Sequence, residues 1–237
     1  MRTAGFSNFG QECISMRIGI IGAGHIGGTL TRRLAALGHE VVVANMHGPD
    51  SLAELTKESG AKAVSVTEAV KGRDLIVISI PVKNIPKLPN GLLANVPKHV
   101  PVIDTGNYYP QQRDGHIREI EDGQTETRWA SNVVGHPLIK VFNNIYAQHL
   151  LERGVPKGTA GRIALPVAGD DEAAKAIVLK LVDDLGFDPV DAGGIDESWR
   201  QQPGSPGYGK DFDAARLKQA LADAKPERPH DFRGAAA

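Results

Sequence analysis

The feature that most constrains this chain is a glycine-rich turn between an apolar stretch and an amphipathic one, close to the N-terminus. Apolar residues 18–21 run directly into the sequence Gly22-Ala23-Gly24-His25-Ile26-Gly27. Where a buried strand passes through such a turn into a helix, free backbone N–H groups and the positive end of the helix dipole both face a bound anion. The first glycine permits the tight turn, the second admits a pyrophosphate, and the third lets helix and strand pack closely. The motif therefore predicts a dinucleotide-binding site at these six residues.

The sequence on both sides of the turn supports this prediction. Residues 29–37 have leucines at helical spacing and end at Gly38, and residues 39–44 form a second apolar strand, which completes a βαβ unit. Further strands are predicted at 63–64, 74–80, 100–104, 138–142, 162–168 and 187–190. Helices are predicted at 50–59 and 67–71, within the polar stretch 111–127, and along an apolar stripe from 174 to 185. This alternation predicts an α/β fold, a doubly wound and mostly parallel Rossmann sheet with a small C-terminal extension.

The two ends of the chain differ from its middle. The polar residues 1–15, which include the single cysteine, Cys13, are expected to form a disordered leader, and the functional protein starts at either Met1 or Met16. Residues 16–195 are expected to form the NAD(P)-binding domain. Residues 196–237 are expected to form an extension with one helix at 213–224 and a loose tail.

Composition excludes several functional classes. A net charge of −1 gives no reason to expect a nucleic-acid partner. The apolar runs are far shorter than the ~20 residues that span a bilayer, so no membrane partner is expected either. One cysteine fits a reducing cytoplasm, which is the predicted location. No cluster of histidines and cysteines has the spacing of a metal site, and Asp170-Asp171-Glu172 is typical of a helix start, so no metal is predicted.

The end of the second strand bears on the choice of nicotinamide cofactor. A carboxylate at this point pairs with the ribose of NAD, whereas basic and small polar residues suit the 2′-phosphate of NADP. The chain has Asn45-Met46-His47 here, with neither a carboxylate nor an arginine. NADP is therefore weakly preferred as the cofactor and NAD stays open.

Further candidates follow the later strands. Ser79-Ile80-Pro81 would lie beside the cofactor ribose and nicotinamide, and Asn107, Tyr108 and Asn143 are candidate substrate contacts. Each of these also fits a structural role at a strand end or turn. No catalytic acid or base is identified, and His136 in a loop is a weak candidate. Hydride transfer to a flavin-like ring needs alignment and a dry contact more than it needs a proton donor.

The chain resembles the bacterial and archaeal NADP oxidoreductases related to the deazaflavin-coenzyme-dependent NADP reductases, and specifically their less characterised bacterial branch. The resemblance covers residues 16 to about 208. The matching motifs are IGAGHIGG at 21–28, VVVAN with GP at 41–49, ISIP at 78–81, IDTGNYYP at 103–110, KVFNNIYAQHL at 140–150, LPVAGDDEAAK with LGFDPVDAGG within 165–194, and ESWRQQPGSP at 197–206.

The resemblance implies a Rossmann domain that binds NADP(H), a smaller C-terminal portion, and a homodimer. It also implies a second ring over the nicotinamide, with direct hydride passage between the two. The implied contacts are Ala23, Gly24, His25 and Ile26 for the pyrophosphate, Asn45 and Met46 for the 2′-phosphate end, and Ser79, Ile80 and Pro81 near the ribose. Relatives commonly have Ser-Arg where this chain has Met46-His47, which weakens the implied preference for NADP.

The predicted function is an NAD(P)-dependent oxidoreductase that transfers hydride between the nicotinamide and a small-molecule acceptor. The acceptor is either a flavin or deazaflavin, acting as co-substrate, or a small carbonyl compound. One alternative is a dehydrogenase or reductase of a small acid, imine or aldehyde. Another is a protein that senses the dinucleotide without turnover, because fold does not settle function.

Overall fold

The computed structural model describes residues 15–234 and centres on a sheet of six strands. These are β1 (Arg17–Ile21), β2 (Glu40–Ala44), β3 (Lys62–Ala63), β4 (Leu75–Ile78), β5 (Val102–Asp104) and β6 (Ile139–Lys140). All adjacent pairs are parallel, and the strand order is β3-β2-β1-β4-β5-β6. This is the order of a doubly wound dinucleotide-binding sheet, with its switch point between β1 and β4. The predicted fold class is confirmed.

Helices cover both faces of this sheet. The helices of the described residues are α1 (His25–Ala36), α2 (Ala53–Ser59), α3 (Val66–Ala69), α4 (Arg118–Glu121), α5 (Glu126–Val134), α6 (Ala147–Glu152), α7 (Glu172–Asp184) and α8 (Ala214–Asp223), of which α8 packs on the smaller sheet described below. Helix α1 begins earlier than the predicted residue 29, because the end of the glycine turn already belongs to its first turn. Helices α5 and α6 were not predicted; both are short, and tertiary packing stabilises such helices more than propensity does.

The central strands are buried because each has a packed layer on either side. In β1, Ile18 and Ile20 pack with Leu30 and Leu34 of α1, whereas Ile21 belongs to the apolar cluster on the other face. All four residues of β4 are fully buried. A near-continuous apolar run is what a parallel strand buried on both faces requires.

The last two predicted strands do not extend the main sheet. They form a separate parallel pair, β7 (Ala164–Val167) and β8 (Asp188–Asp191), with α7 as the crossover between them. A single antiparallel bridge between Lys140 and Ala168 joins this pair to the end of β6. Helix α8, where the sequence predicted it, packs its buried Leu217 and Leu221 against the small sheet.

The C-terminal residues up to 234 pack against the domain, in contrast to the loose tail expected from the sequence. Both terminal nitrogens of Arg228 donate to the buried Glu126 Oε1 at 3.0 Å. The Gly234 N–H donates to Glu121 Oε1 at 2.7 Å, and the Gln111 amide donates to the carbonyls of His230 and Arg233. The predicted leader, including Cys13, lies outside the described residues apart from Ser15.

A charged pair closes the opposite end of the sheet. Arg17, at the start of β1, donates two side-chain hydrogen bonds to Asp74, which precedes β4. These bonds, together with one from the Arg17 backbone N–H, lower the pKa of the Asp74 carboxyl to about 2. The carboxylate therefore favours the folded state at neutral pH.

We expect Asp74→Asn to lower the melting temperature near neutral pH by a few degrees at most, because the pair is partly exposed and screened by solvent. A carboxyl whose pKa is depressed on folding stabilises the protein above its unfolded value of 3.8 and loses this effect as the pH falls towards 2. The gap between variant and parent should therefore close between about pH 4 and pH 2. Thermal melts across this range test it, and Arg17→Gln should give the same profile; a gap that persists at pH 2 contradicts the assignment.

Candidate functional site

The glycine turn forms a cradle that side chains at two of its positions would destroy. Gly22 has a φ of +105°, and a Cβ there would overlap the Ser79 carbonyl oxygen. A Cβ on Gly27 would overlap the Gly22 carbonyl oxygen and lie 3.2 Å from the Ser79 Cβ. At Gly24, by contrast, an added Cβ meets no atom within 4 Å. The backbone is therefore close-packed on the protein side and open on the other side, which is the shape a pyrophosphate needs.

The N-terminus of α1 faces this open side without a capping side chain. Gly24 is the N-cap residue and supplies no side-chain hydrogen bond, and the first turn contains no acidic residue. The first backbone N–H groups of this twelve-residue helix thus stay available to an anion, and the helix dipole adds to the attraction. His25 is exposed and Ile26 is half-buried at the start of the helix. The residues present fit a dinucleotide.

The segment after β2 has a more specific geometry than its sequence suggested. The Asn45 side chain accepts a hydrogen bond from the His47 backbone N–H and donates to the Ser51 hydroxyl, both at 2.8 Å. This Asx turn holds the loop and leaves the Asn45 amide committed to it. Met46 and His47 are exposed, and Met46 is 61% exposed. Of the three residues, His47 is the one with an uncommitted polar side chain.

The ends of β4 and β5 are joined beside the cradle. The Thr105 hydroxyl donates to the Ser79 hydroxyl at 2.9 Å, so the predicted ribose-side residue Ser79 is fixed by the neighbouring strand. Ile80 and Pro81 are half-buried next to it. An apolar and partly exposed surface such as that of Ile80 and Pro81 can pack against the nicotinamide ring and exclude water from it.

The ends of β5 and β6 are joined by an amide network. The Asn107 amide donates to the Asn143 carbonyl at 2.8 Å, and the Asn143 amide donates to Asn107 Oδ1 at 3.1 Å. Gln201 completes the network, since its Nε2 donates to Asn143 Oδ1 at 3.0 Å. The structure thus brings together two of the three predicted substrate residues.

Tyr108 and His136 have structural surroundings. Tyr108 is fully buried, and its hydroxyl donates to the Gly115 carbonyl and accepts from the Ile117 N–H. This placement argues against contact between Tyr108 and a substrate. His136 is also buried, and its two ring nitrogens lie 2.9 Å from the Pro137 carbonyl and 3.3 Å from the Pro97 carbonyl. The ring therefore binds loops rather than facing the site.

A buried charge network underlies the site, and sequence reasoning missed it. The Lys140 side chain is fully buried; its ammonium donates to the Gly106 carbonyl and lies 3.4 Å from Asp104 Oδ2 and 3.6 Å from Glu126 Oε2. Arg228 binds the other oxygen of Glu126, so two cations and two carboxylates share one low-dielectric pocket. The available signal was a lysine in the middle of the otherwise apolar run 138–142.

Other features of the described residues lie elsewhere or are absent. A cavity of about 720 Å³ lies between residues 120–125 and the extension, and one of about 770 Å³ lies at the opposite, N-terminal edge of the sheet. Neither is lined by a residue of the glycine turn.

Between residues 15 and 234 there is no group of three or more histidine, cysteine or acidic side chains placed to hold a metal ion. No helix in that range is both long and apolar enough to cross a membrane.

Comparison with known sequences gives two matches to parts of the chain. Residues 17–108 match the family model described as NADP oxidoreductase, coenzyme F420-dependent. The protein YjhV of Escherichia coli (strain K12) is 51% identical over 71 residues, which are 30% of this chain and 52% of that protein. The matched segment thus spans about half of the curated relative.

Comparison with solved structures covers more of the chain. The hypothetical protein SMa0349 from Sinorhizobium meliloti is 28% identical with a TM-score of 0.70, covering 84% of this chain and 95% of that one. A "putative F420 dependent NADP-reductase" from Arthrobacter sp. FB24 is 22% identical with a TM-score of 0.66, covering 94% and 100%. The 3-hydroxyisobutyrate dehydrogenase of Mycobacterium tuberculosis is 15% identical with a TM-score of 0.56, covering 76% and 55%. At these identities, the last two structures show a shared fold and nothing more.

The glycine cradle yields a paired prediction. Gly27→Ala should lower the free energy of unfolding by about 1–3 kcal/mol, because its methyl group meets rigid backbone. Gly24→Ala should cost no more than about 1 kcal/mol, because alanine is a poorer N-cap residue than glycine, but should weaken dinucleotide binding about tenfold, because its methyl group points into free space that the ligand needs. Thermal melts and calorimetric titration with NADPH separate the two effects. Unchanged NADPH affinity in Gly24→Ala would place the pyrophosphate elsewhere.

Proposed function

We propose that this chain, whose residues 17–108 match the family model of the coenzyme F420-dependent NADP oxidoreductases, transfers hydride between a nicotinamide dinucleotide and a flavin, deazaflavin or small carbonyl acceptor. The observation on which the proposal rests is the open cradle at Gly24, set against the uncapped N-terminus of α1 at the switch point of the sheet. A ligand in such a sheet lies outside the carboxyl ends of the strands. The residues that end β4, β5 and β6 therefore border the acceptor.

The cradle and its neighbours would hold the cofactor. The backbone of residues 22–27 receives the pyrophosphate, and the loop after β2 receives the adenosine ribose. NADP is favoured over NAD because no carboxylate ends β2 and because the Asx turn at Asn45 leaves the His47 side chain free beside that ribose. Ser79, Ile80 and Pro81 border the nicotinamide side.

The bound cofactor would supply the hydride, and the protein would supply alignment and exclusion of water. The Ser79–Thr105 hydrogen bond and the Asn107–Asn143 network fix three strand ends relative to one another. The buried Lys140 ammonium donates a hydrogen bond to the Gly106 carbonyl, so the loop that presents Asn107 is anchored in the core. These fixed walls favour a close approach of two rings without requiring a catalytic acid or base. Homodimer formation, which the resemblance implies, and a cytoplasmic location, which was inferred from the single cysteine, stay predictions.

The cofactor preference is testable at His47. His47→Arg should bind NADPH about twofold to fivefold more tightly than the parent, the range for an exposed ion pair, and should leave NADH affinity unchanged. The parent itself should prefer NADPH. Calorimetric titration of both proteins with both dinucleotides measures this, and His47→Gln serves as the neutral control. Tighter NADH binding by the parent would reverse the proposed preference.

Turnover separates an oxidoreductase from a dinucleotide sensor. We expect the protein to oxidise NADPH with at least one of coenzyme F420, FMN, riboflavin or a panel of small aldehydes, imines and 2-oxo acids. With NADPH deuterated at one face of C4, the label should move to the acceptor from a single face, because the fixed walls admit one orientation of the ring. Tight NADPH binding with no transfer to any of these acceptors would favour the sensor.

A further inference from the structure

All four tyrosines of the chain belong to segments that meet beyond the carboxyl ends of β5 and β6. Tyr108 and Tyr109 follow β5, Tyr146 follows β6, and Tyr208 lies in the C-terminal extension. The N–H of Gly209 donates to the Asn144 carbonyl at 3.0 Å, which fixes the segment of Tyr208 across the end of β6. The extension therefore places a phenol at the edge of the sheet where the proposed acceptor would lie.

The Tyr208 hydroxyl contacts the Tyr109 hydroxyl directly. Each hydroxyl has a single hydrogen, and only one of the two hydrogens can lie between the oxygens. The second hydrogen has no protein acceptor among residues 15–234. Tyr108 differs, because its hydroxyl both donates to Gly115 and accepts from Ile117. The pair thus presents one uncommitted O–H donor.

The ring of Tyr109 has two further contacts. The Arg113 guanidinium lies 5.2 Å from the centre of its ring, and the Phe232 ring centre lies 6.5 Å away on the docked tail. Either hydroxyl can donate to the other, so the free hydrogen lies on Tyr208 when Tyr109 donates and on Tyr109 when Tyr208 donates. Of the two, Tyr208 is the one whose segment is bonded to the end of β6, where the acceptor would lie.

Two further observations point to a polar ligand at this edge. The Asn144 side chain is 2% exposed, and both its Oδ1 and its Nδ2 lack a hydrogen-bond partner. The Oε1 of the buried Gln201 is unpaired as well. Buried polar atoms are rarely left unpaired in a native protein unless water or a ligand completes them. Tyr146, which is 61% exposed next to Gly209, offers an aromatic surface beside these groups.

We propose that the Tyr109–Tyr208 hydroxyl pair is the hydrogen-bond donor that positions the hydride acceptor, through a carbonyl oxygen of that acceptor. This inference rests on the proposed function and names residues for its second substrate. Burial, with a smaller contribution from Tyr109, raises the pKa of the Tyr208 hydroxyl, so Tyr208 keeps its hydrogen throughout the neutral range. A ring carbonyl of a flavin or deazaflavin and the oxygen of a small carbonyl compound share the required chemistry.

The test compares Tyr208→Phe and Tyr109→Phe with Tyr108→Phe, which removes a neighbouring hydroxyl of the core. Fluorescence titration of the protein–NADP⁺ complex with FMN and with coenzyme F420 measures acceptor binding without turnover. Steady-state kinetics with the same acceptors and with small carbonyl compounds give KM and kcat separately. NADPH affinity and thermal melts are measured for every variant.

Tyr208→Phe should weaken the binding of whichever acceptor class the protein uses about fivefold, as loss of one neutral hydrogen bond does, and should raise the KM for that acceptor in proportion. NADPH affinity should not change. Tyr109→Phe should show a smaller effect in the same direction. Tyr108→Phe should lower the melting temperature and keep the parent acceptor KM. The class of acceptor whose KM responds identifies which carbonyl is bound.

Three outcomes separate the two proposals. Turnover with a parent-like KM in both Tyr208→Phe and Tyr109→Phe overturns the tyrosine assignment and leaves the proposed function in place. Acceptor binding that depends on Tyr208, without hydride transfer, overturns the proposed function alone. Equal losses of NADPH affinity, acceptor affinity and melting temperature in Tyr208→Phe show a structural role only and overturn the assignment.

Discussion

The close approach of α1 to the ends of β1 and β4 is the constraint on which the rest of the structure depends. Gly27 lies directly against the Gly22 carbonyl, and Gly22 lies against the Ser79 carbonyl, so neither position has room for a methyl group. The same contact points the first N–H groups of α1 outward at Gly24 and brings Ser79 beside them. One packing requirement thus sets both the phosphate side and the nicotinamide side of the candidate site.

A second constraint acts beyond the ends of β5 and β6, where the C-terminal extension packs against the sheet. Three buried charged residues, Asp104, Glu126 and Lys140, are paired there with one another and with the half-buried Arg228. Removal of one partner would leave an uncompensated charge, and such a loss is strongly destabilising. Because Lys140 and Asp104 also hold the Gly106 loop, the network links the docking of the C-terminal segment to the position of Asn107. This gives the extension a physical connection to the site.

Much of this fold could be predicted from the sequence, because its central strands are unbroken apolar runs and its longer helices have clear apolar stripes. Strands β1, β2, β4 and β5 lie where the pattern placed them, as do α7 and α8. Helices α5 and α6 were not predicted, because both are short and because polar residues alternate with the buried Trp129 in α5. The packing of the tail was not predicted for another reason. Its proline-rich sequence has no periodicity, and the residues it contacts lie about a hundred residues earlier in the chain.

The sequence alone determined the glycine cradle, the βαβ unit around it and the absence of a carboxylate after β2. These are local properties, since a glycine turn and an apolar strand need only their immediate neighbours to be recognised. Only the tertiary structure decided the rest: that Tyr108 is a core residue while Tyr208 reaches the strand ends, that Asn45 is committed to its own loop, and that a lysine sits inside the core. The position of Tyr208 and the pairing of Lys140 depend on contacts between segments distant in sequence, and no local pattern encodes which segments meet. The Asn45 turn is local, but an asparagine in a loop can bond its own backbone or a ligand, and only the folded loop shows which.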